Sequence, residues 1–142
     1  VANEFGILVM THGDFGKAAI ESAQLIVGEQ ENYETISVFV VDNLDDLKQE
    51  MEDKVASLDT SKGLVILTDI VGGTPINLAS SLLTREDTII VSGVNLPMLL
   101  EVLMNRRKEV NELEEVIQTA YAQGLSIRTN KDLEGDDDDD LL

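Results

Sequence analysis

Phe5-Gly6-Ile7-Leu8-Val9-Met10, running directly into Thr11-His12-Gly13-Asp14-Phe15-Gly16, is the stretch on which the fold turns. Its first half is apolar almost throughout and of strand length. An apolar side chain at nearly every position, not at every second one, predicts a strand covered on both faces. The apolar residues then change period. Ala19, Ile20, Ala23, Ile26 and Val27 recur at spacings of three and four, which predicts a helix from Gly16 to Val27. Asp14 is placed to cap that helix and Gly28 to stop it.

The same alternation continues. Tyr33 to Val41 is rich in β-branched and aromatic residues and reads as a second strand. Asn43 is a cap for a helix running to about Leu58, with Leu44, Leu47, Met51, Val55 and Leu58 along one stripe. Gly63 to Thr68 is a third apolar strand. Thr74 suits an N-cap and Pro75 the first position of a helix ending near Leu83. Thr88 to Ser92 is a fourth strand. Pro97 opens a helix to about Met104, and a last helix uses Val110, Leu113, Ile117, Ala120 and Tyr121 and closes at Gly124. Leu125 to Thr129 is the candidate for a short C-terminal edge strand. Alternating βα units with short connections predict an α/β fold: a mostly parallel, doubly wound, four-stranded sheet in flavodoxin-like order, with helices on both faces. Residues 1–130 read as one domain and 131–142 as an acidic, disordered tail.

Composition narrows the function. The chain has 142 residues, no cysteine and a net charge of −18, so thiol chemistry, disulfides and zinc–thiolate sites are excluded. The tail holds seven of the acidic residues against one lysine, and the remainder is still strongly acidic. Such a field repels phosphate backbones and anionic lipid, which argues against nucleic-acid or membrane-surface binding, and it steers in partners with a basic rim. No apolar run is long enough to span a bilayer, and Val1-Ala2-Asn3-Glu4 does not read as a signal peptide, so the expectation is a soluble, cytoplasmic protein. Asp136 to Asp140 lacks the glycine-punctuated loop of an EF-hand and reads as solvated.

His12 is the only histidine. A lone histidine is as often a solvated or packed residue as a reactive one. Its place at a strand end, between Thr11 and Gly13, favours the reactive reading. In sheets of this kind ligands bind beyond the carboxyl ends of the strands, near the point where strand order reverses. Asp69 follows the third strand. It is either a turn residue or, if the first and third strands are neighbours, a carboxylate facing one imidazole nitrogen. In that position it would fix the tautomer and leave the other nitrogen free to attack. Gly72-Gly73-Thr74-Pro75 is either a turn with a capped helix or a set of amides for phosphate oxygens. No Walker loop and no GxGxxG occurs. A serine hydrolase built on Ser80 or Ser92 would have His12 as its only base.

Ile7-Leu8-Val9-Met10-Thr11-His12-Gly13 resembles the opening of the enzyme IIA components of the mannose class of the bacterial phosphoenolpyruvate-dependent sugar phosphotransferase system. Gly28-Glu29-Gln30-Glu31-Asn32, Asp69 to Asn77 and Gly93-Val94-Asn95-Leu96-Pro97-Met98-Leu99 are similar to the same family, in the same order. The resemblance implies that His12 accepts a phosphoryl group on Nε2 from the phosphocarrier protein HPr. It then passes the group to a histidine of enzyme IIB, on a separate chain, for a sugar entering through the membrane permease IIC/IID. It implies that Asp69 faces Nδ1 of His12, and that Thr11, Gly13, Gly72, Gly73, Thr74, Ser92 and Gly93 surround the phosphate. It further implies a homodimer and no metal or other cofactor. Two other phosphoryl-transfer readings are the donor subunit of a dihydroxyacetone kinase, whose glycine motif differs, and a histidine phosphatase. The phosphatase requires an arginine where Thr11 stands and a second histidine. A regulatory module reporting its own phosphorylation state is the non-enzymatic alternative.

Overall fold

A computed structural model describes residues 3–40 and 42–135. The apolar run that opens the chain becomes β1 (Gly6–His12), and its residues split between two cores. Ile7 and Val9 face one side of the sheet with Val65 and Leu67; Leu8 and Met10 face the other with Leu64 and Ile66. This is why the run shows no alternation: both faces are covered, and successive side chains enter different cores.

The first core is roofed by α1 (Phe15–Val27), α4 (Leu96–Met104) and α5 (Leu113–Gln123), through residues such as Ile20, Leu99 and Leu113. The second lies under α2 (Leu44–Ser57) and α3 (Thr74–Ala79), with Leu47, Met51, Val55 and Ala79. Met51, Leu99 and Leu113 are fully buried, and each such side chain contributes about 1.5–3 kcal/mol relative to exposure. The remaining strands are β2 (Tyr33–Val38), β3 (Leu64–Thr68) and β4 (Thr88–Ser92). The sheet is four-stranded with order β2-β1-β3-β4, and every pairing is parallel. The chain steps outward from β1 to β2 and then crosses back to β3, so the order reverses between β1 and β3. The expected doubly wound architecture is the one observed.

Several local expectations are corrected. Leu125 to Thr129 joins no strand and is exposed throughout, so the edge strand is absent among the described residues and β4 keeps a free edge. β2 stops at Val38 because Phe39 leaves the ladder: its N–H donates to Asp42 Oδ2 at 2.6 Å, and Asp42 N–H donates to the Phe39 carbonyl. Val41 lies outside the described residues. Thr74 is not the N-cap of α3; Gly73 is, and the helix gives way after Ala79 to a 3₁₀ turn over Ser80–Thr84. Tyr121 is exposed, so it does not belong to the buried stripe of α5. A second 3₁₀ turn, Val110–Glu112, leads into α5. At the start of the acidic tail lies a four-residue helix, α6 (Asp132–Gly135); the rest of the tail, Asp136 to Asp140 included, lies outside the described residues. No helix among the described residues is long and apolar enough to cross a membrane.

Candidate functional site at the β1–β3 switch point

His12 is the last residue of β1, on the face that carries Leu8 and Met10. Asp69 follows β3 immediately. Because β1 and β3 pair in parallel with Met10 opposite Thr68, the two strand ends deliver His12 and Asp69 to the same place. Asp69 Oδ2 accepts the main-chain N–H of His12 and also lies 2.9 Å from its Nδ1. Asp69 Oδ1 accepts the N–H of Ile70 at 3.0 Å.

These bonds favour one charge state of the carboxyl and one tautomer of the ring together. Partial burial raises the Asp69 carboxyl, but the hydrogen bonds from His12 and Ile70 outweigh it and hold the group below the usual aspartate value. An ionised carboxylate only accepts, so the proton between the two groups sits on Nδ1. In the neutral ring the Nε2 lone pair is then free. The His12 side chain is 50% exposed and that of Asp69 12%, so the carboxylate is sheltered and the imidazole is open.

Gly73 supports the other edge of the ring. It has φ +92, and a Cβ there would lie 3.1 Å from His12 Cε1 and 3.3 Å from Nε2. Only glycine gives both that backbone conformation and that clearance. Gly72 also has positive φ, but no atom lies within 4 Å of a Cβ built there. Beside His12 opens a cleft of about 540 Å³, lined by Gly13, Val38, Phe39, Val40, Asp42, Leu44, Leu47 and Thr74. Half-buried Thr74, at the start of α3, is one of the polar residues lining this cleft.

Thr11, Ser92 and Gly93 are not among the residues lining this cleft. Thr11 is fully buried, and its hydroxyl accepts the Gly16 N–H at 2.8 Å. It is turned to the opposite face of β1 from His12. Asp14 sits at the N-cap of α1 but makes no side-chain cap bond; its carboxylate accepts the Ser37 hydroxyl at 2.6 Å instead. Ser92 ends β4 and Gly93 follows it, one strand beyond β3 from His12. Ser92 Oγ accepts the Thr68 hydroxyl at 2.8 Å and lines a different groove along the free edge of β4.

Arg106 escaped the sequence reading. It is buried at 4% exposure with no ion-pair partner among the described residues, and burial, partly offset by the charge of Glu4, pulls its guanidinium below the usual value. It donates to Gln30 Oε1 and to the carbonyls of Phe5 and Asn32, and it stands over the Phe5 ring. Asn32, at φ +57, donates to the carbonyls of Glu4 and Asp59 and accepts the Asp59 N–H. The Gly28 to Asn32 motif therefore clasps the opposite end of the sheet from His12. In the sequence this stretch stood out by its family resemblance and as a polar run between two elements, neither of which pointed to Arg106.

Residues 6–121 match the family model for the EIIA-man family, described as the PTS system fructose IIA component. The mannose-specific EIIAB component of Escherichia coli (strain K12) is 34% identical over 119 residues; the match covers 83% of this chain but 36% of that protein. The chain thus spans about a third of that longer relative's length. The fructose-specific EIIA component of Bacillus subtilis (strain 168) is 34% identical over 121 residues, covering 81% of this chain and 83% of that one. Among solved structures, the PTS IIA protein associated with the fucose utilization operon of Streptococcus pneumoniae superposes with a TM-score of 0.79 at 29% identity. That alignment covers 92% of this chain and 97% of that one. With the fold, the family model and these relatives in agreement, the chain belongs to the mannose-class EIIA family of the sugar phosphotransferase system.

Proposed function

We propose that the chain, as a domain over residues 1–130, is a cytoplasmic phosphoryl carrier. His12 accepts a phosphoryl group at Nε2 from the phosphohistidine of HPr and passes it to enzyme IIB, which serves the membrane permease of an imported sugar. The observation that carries this reading is the double hydrogen bond from His12 to Asp69 Oδ2, which keeps Nδ1 protonated and Nε2 free. The Nε2 lone pair forms the new N–P bond as the donor's N–P bond breaks, and the donor nitrogen keeps that electron pair. The Nδ1 proton stays on His12 and Asp69 offsets the positive charge the ring acquires. The same steps run in reverse order toward IIB, so one histidine serves both exchanges. Alignment and charge placement are what the protein must supply. The Gly73 amide and the Thr74 hydroxyl are the groups we assign to the phosphoryl oxygens.

The surface around His12 supports protein partners. Phe15, Phe39, Val40, Leu44, Ile70 and Val71 are all exposed on segments at this end of the sheet, where isolated chains rarely leave so many apolar groups together. The acidic charge favours donors and acceptors with basic rims. A homodimer accounts for two further features. β4 has an unpaired edge with an apolar groove of about 490 Å³, and Leu125 and Ile127 are 72% and 79% exposed on a segment with no strand partner. Such an edge invites pairing with a second copy.

The test is phosphorylation with phosphoenolpyruvate, enzyme I and HPr. The expected product gains one acid-labile, base-stable phosphoryl group, and His12→Ala gains none. No gain in the wild type, or a gain that survives His12→Ala, overturns the reading.

A further inference from the structure

We propose that Thr11 is a positioning residue for His12, acting through the first turn of α1; this rests on the reading of His12 as phosphoryl acceptor. The two bonds that His12 sends to one carboxylate oxygen constrain its main chain as well as its ring, because the N–H and Nδ1 must both converge on Asp69 Oδ2. The chain leaves that point through Gly13 at φ +55 and enters α1 two residues later. Whatever fixes this short loop fixes the imidazole.

Thr11 does so from the far side of the strand. Its hydroxyl accepts the Gly16 N–H at 2.8 Å and donates to the Gly13 carbonyl at 3.3 Å, so one side chain bonds to the loop on both sides of Asp14. Burial of Thr11 is complete, which leaves the hydroxyl no water to exchange with. The contact requires close approach of helix to strand. A Cβ on Gly16 would lie 2.6 Å from Val9 Cγ1 and 3.1 Å from Thr11 Oγ1. Asp14, the residue at the N-cap, does not compete for the amides: its carboxylate is held by Ser37 on β2, and the Gly13 N–H is taken by the Val38 carbonyl at 2.8 Å. The cap of α1 has thus been moved to the residue next to the reactive histidine. A cap that served helix stability alone would be met as well by Asp14.

Two substitutions separate positioning from stability. Thr11→Val keeps the shape and removes the hydroxyl; Thr11→Ser keeps the hydroxyl. In rapid-quench transfer from phosphorylated HPr, Thr11→Val is expected to lower the first-order rate by about 10- to 10²-fold with little change in half-saturation. Thr11→Ser is expected to return most of the rate. The ¹⁵N signals of His12 in the unphosphorylated protein should shift in Thr11→Val toward a mixture of the two tautomers, and remain as in the wild type in Thr11→Ser. This second readout needs no phosphoryl donor, so its failure is distinct from failure of the relay reading. If Thr11→Val does not fold, adding Ser37→Ala releases Asp14 to cap α1. Transfer in that folded double variant is expected to stay slow. Wild-type transfer and an unchanged imidazole, in either folded variant lacking the hydroxyl, would overturn the proposal and leave Thr11 as a helix cap only.

Discussion

Asp69 Oδ2 holds His12 at two points, the main-chain N–H and ring Nδ1, each at 2.9 Å. In the proposed relay this one oxygen sets both where the residue sits and which ring nitrogen is free. Asp69→Ala removes both restraints. The expected loss in the first-order rate of phosphoryl transfer is about 10²- to 10⁴-fold, its upper end matching the loss when an orienting carboxylate is taken from a catalytic histidine. Rapid-quench kinetics with phosphorylated HPr would measure it. A change confined to half-saturation would instead mean that Asp69 acts in docking.

Asp69 also contributes to acid stability, and the sign follows from its lowered pKa. A carboxyl whose folded value lies below its unfolded value stabilises the fold at pH above the unfolded value. That contribution is lost as pH falls through the folded value, which for an aspartate means below about pH 4. Asp69→Asn lacks this component. Urea unfolding followed from about pH 5 down through the aspartate range should show a shallower loss for the variant than for the wild type.

Gly73 and Gly72 form an internal control. Both have positive φ, but only a methyl at Gly73 would press on the imidazole. Gly73→Ala and Gly72→Ala are each expected to cost about 1–3 kcal/mol in backbone strain. Only Gly73→Ala should also slow transfer beyond what its folded fraction explains. Equal kinetic effects in the two variants would mean that the ring contact is unimportant.

Arg106 is a structural clasp remote from the chemistry. Arg106→Met strips donors from Gln30, Phe5 and Asn32, and a loss of about 2–4 kcal/mol is expected for such a buried network. Arg106→Lys should rescue little, since an ammonium cannot span the same acceptors with a planar fork. Transfer per folded molecule should be unchanged in both. Denaturant titration paired with active-site phosphorylation levels checks the two halves of this expectation.

The parts of the fold legible in sequence were those written in hydrophobic period. The unbroken run Ile7 to Met10 marked a strand with two cores, and the three-four spacing after Gly16 marked the helix above it. The proximity of His12 and Asp69 followed once β1 and β3 were taken as neighbours, because strand ends are where an α/β sheet places polar groups. What was not legible depended on which way a hydroxyl or carboxylate turns. Thr11 adjoins His12 in sequence, yet strand alternation sends its side chain to the other face. Ser92 ends a neighbouring strand, but on a residue whose hydroxyl is held by Thr68 and whose open side faces the β4 edge. Asp14 has the chemistry of a cap and is diverted by Ser37, a residue 23 positions away. Leu125 to Thr129 carries a weak strand pattern and has no strand beside it among the described residues. Period reports burial, whereas these choices are made by contacts between elements.

The central claim is that His12 carries the phosphoryl group on Nε2 while Nδ1 stays protonated against Asp69. Multidimensional NMR of the ¹⁵N-labelled, HPr-phosphorylated protein tests it most directly. Nitrogen–phosphorus coupling at Nε2, with a protonated Nδ1, is the predicted result. Coupling at Nδ1, or phosphorus on any other residue, would contradict it.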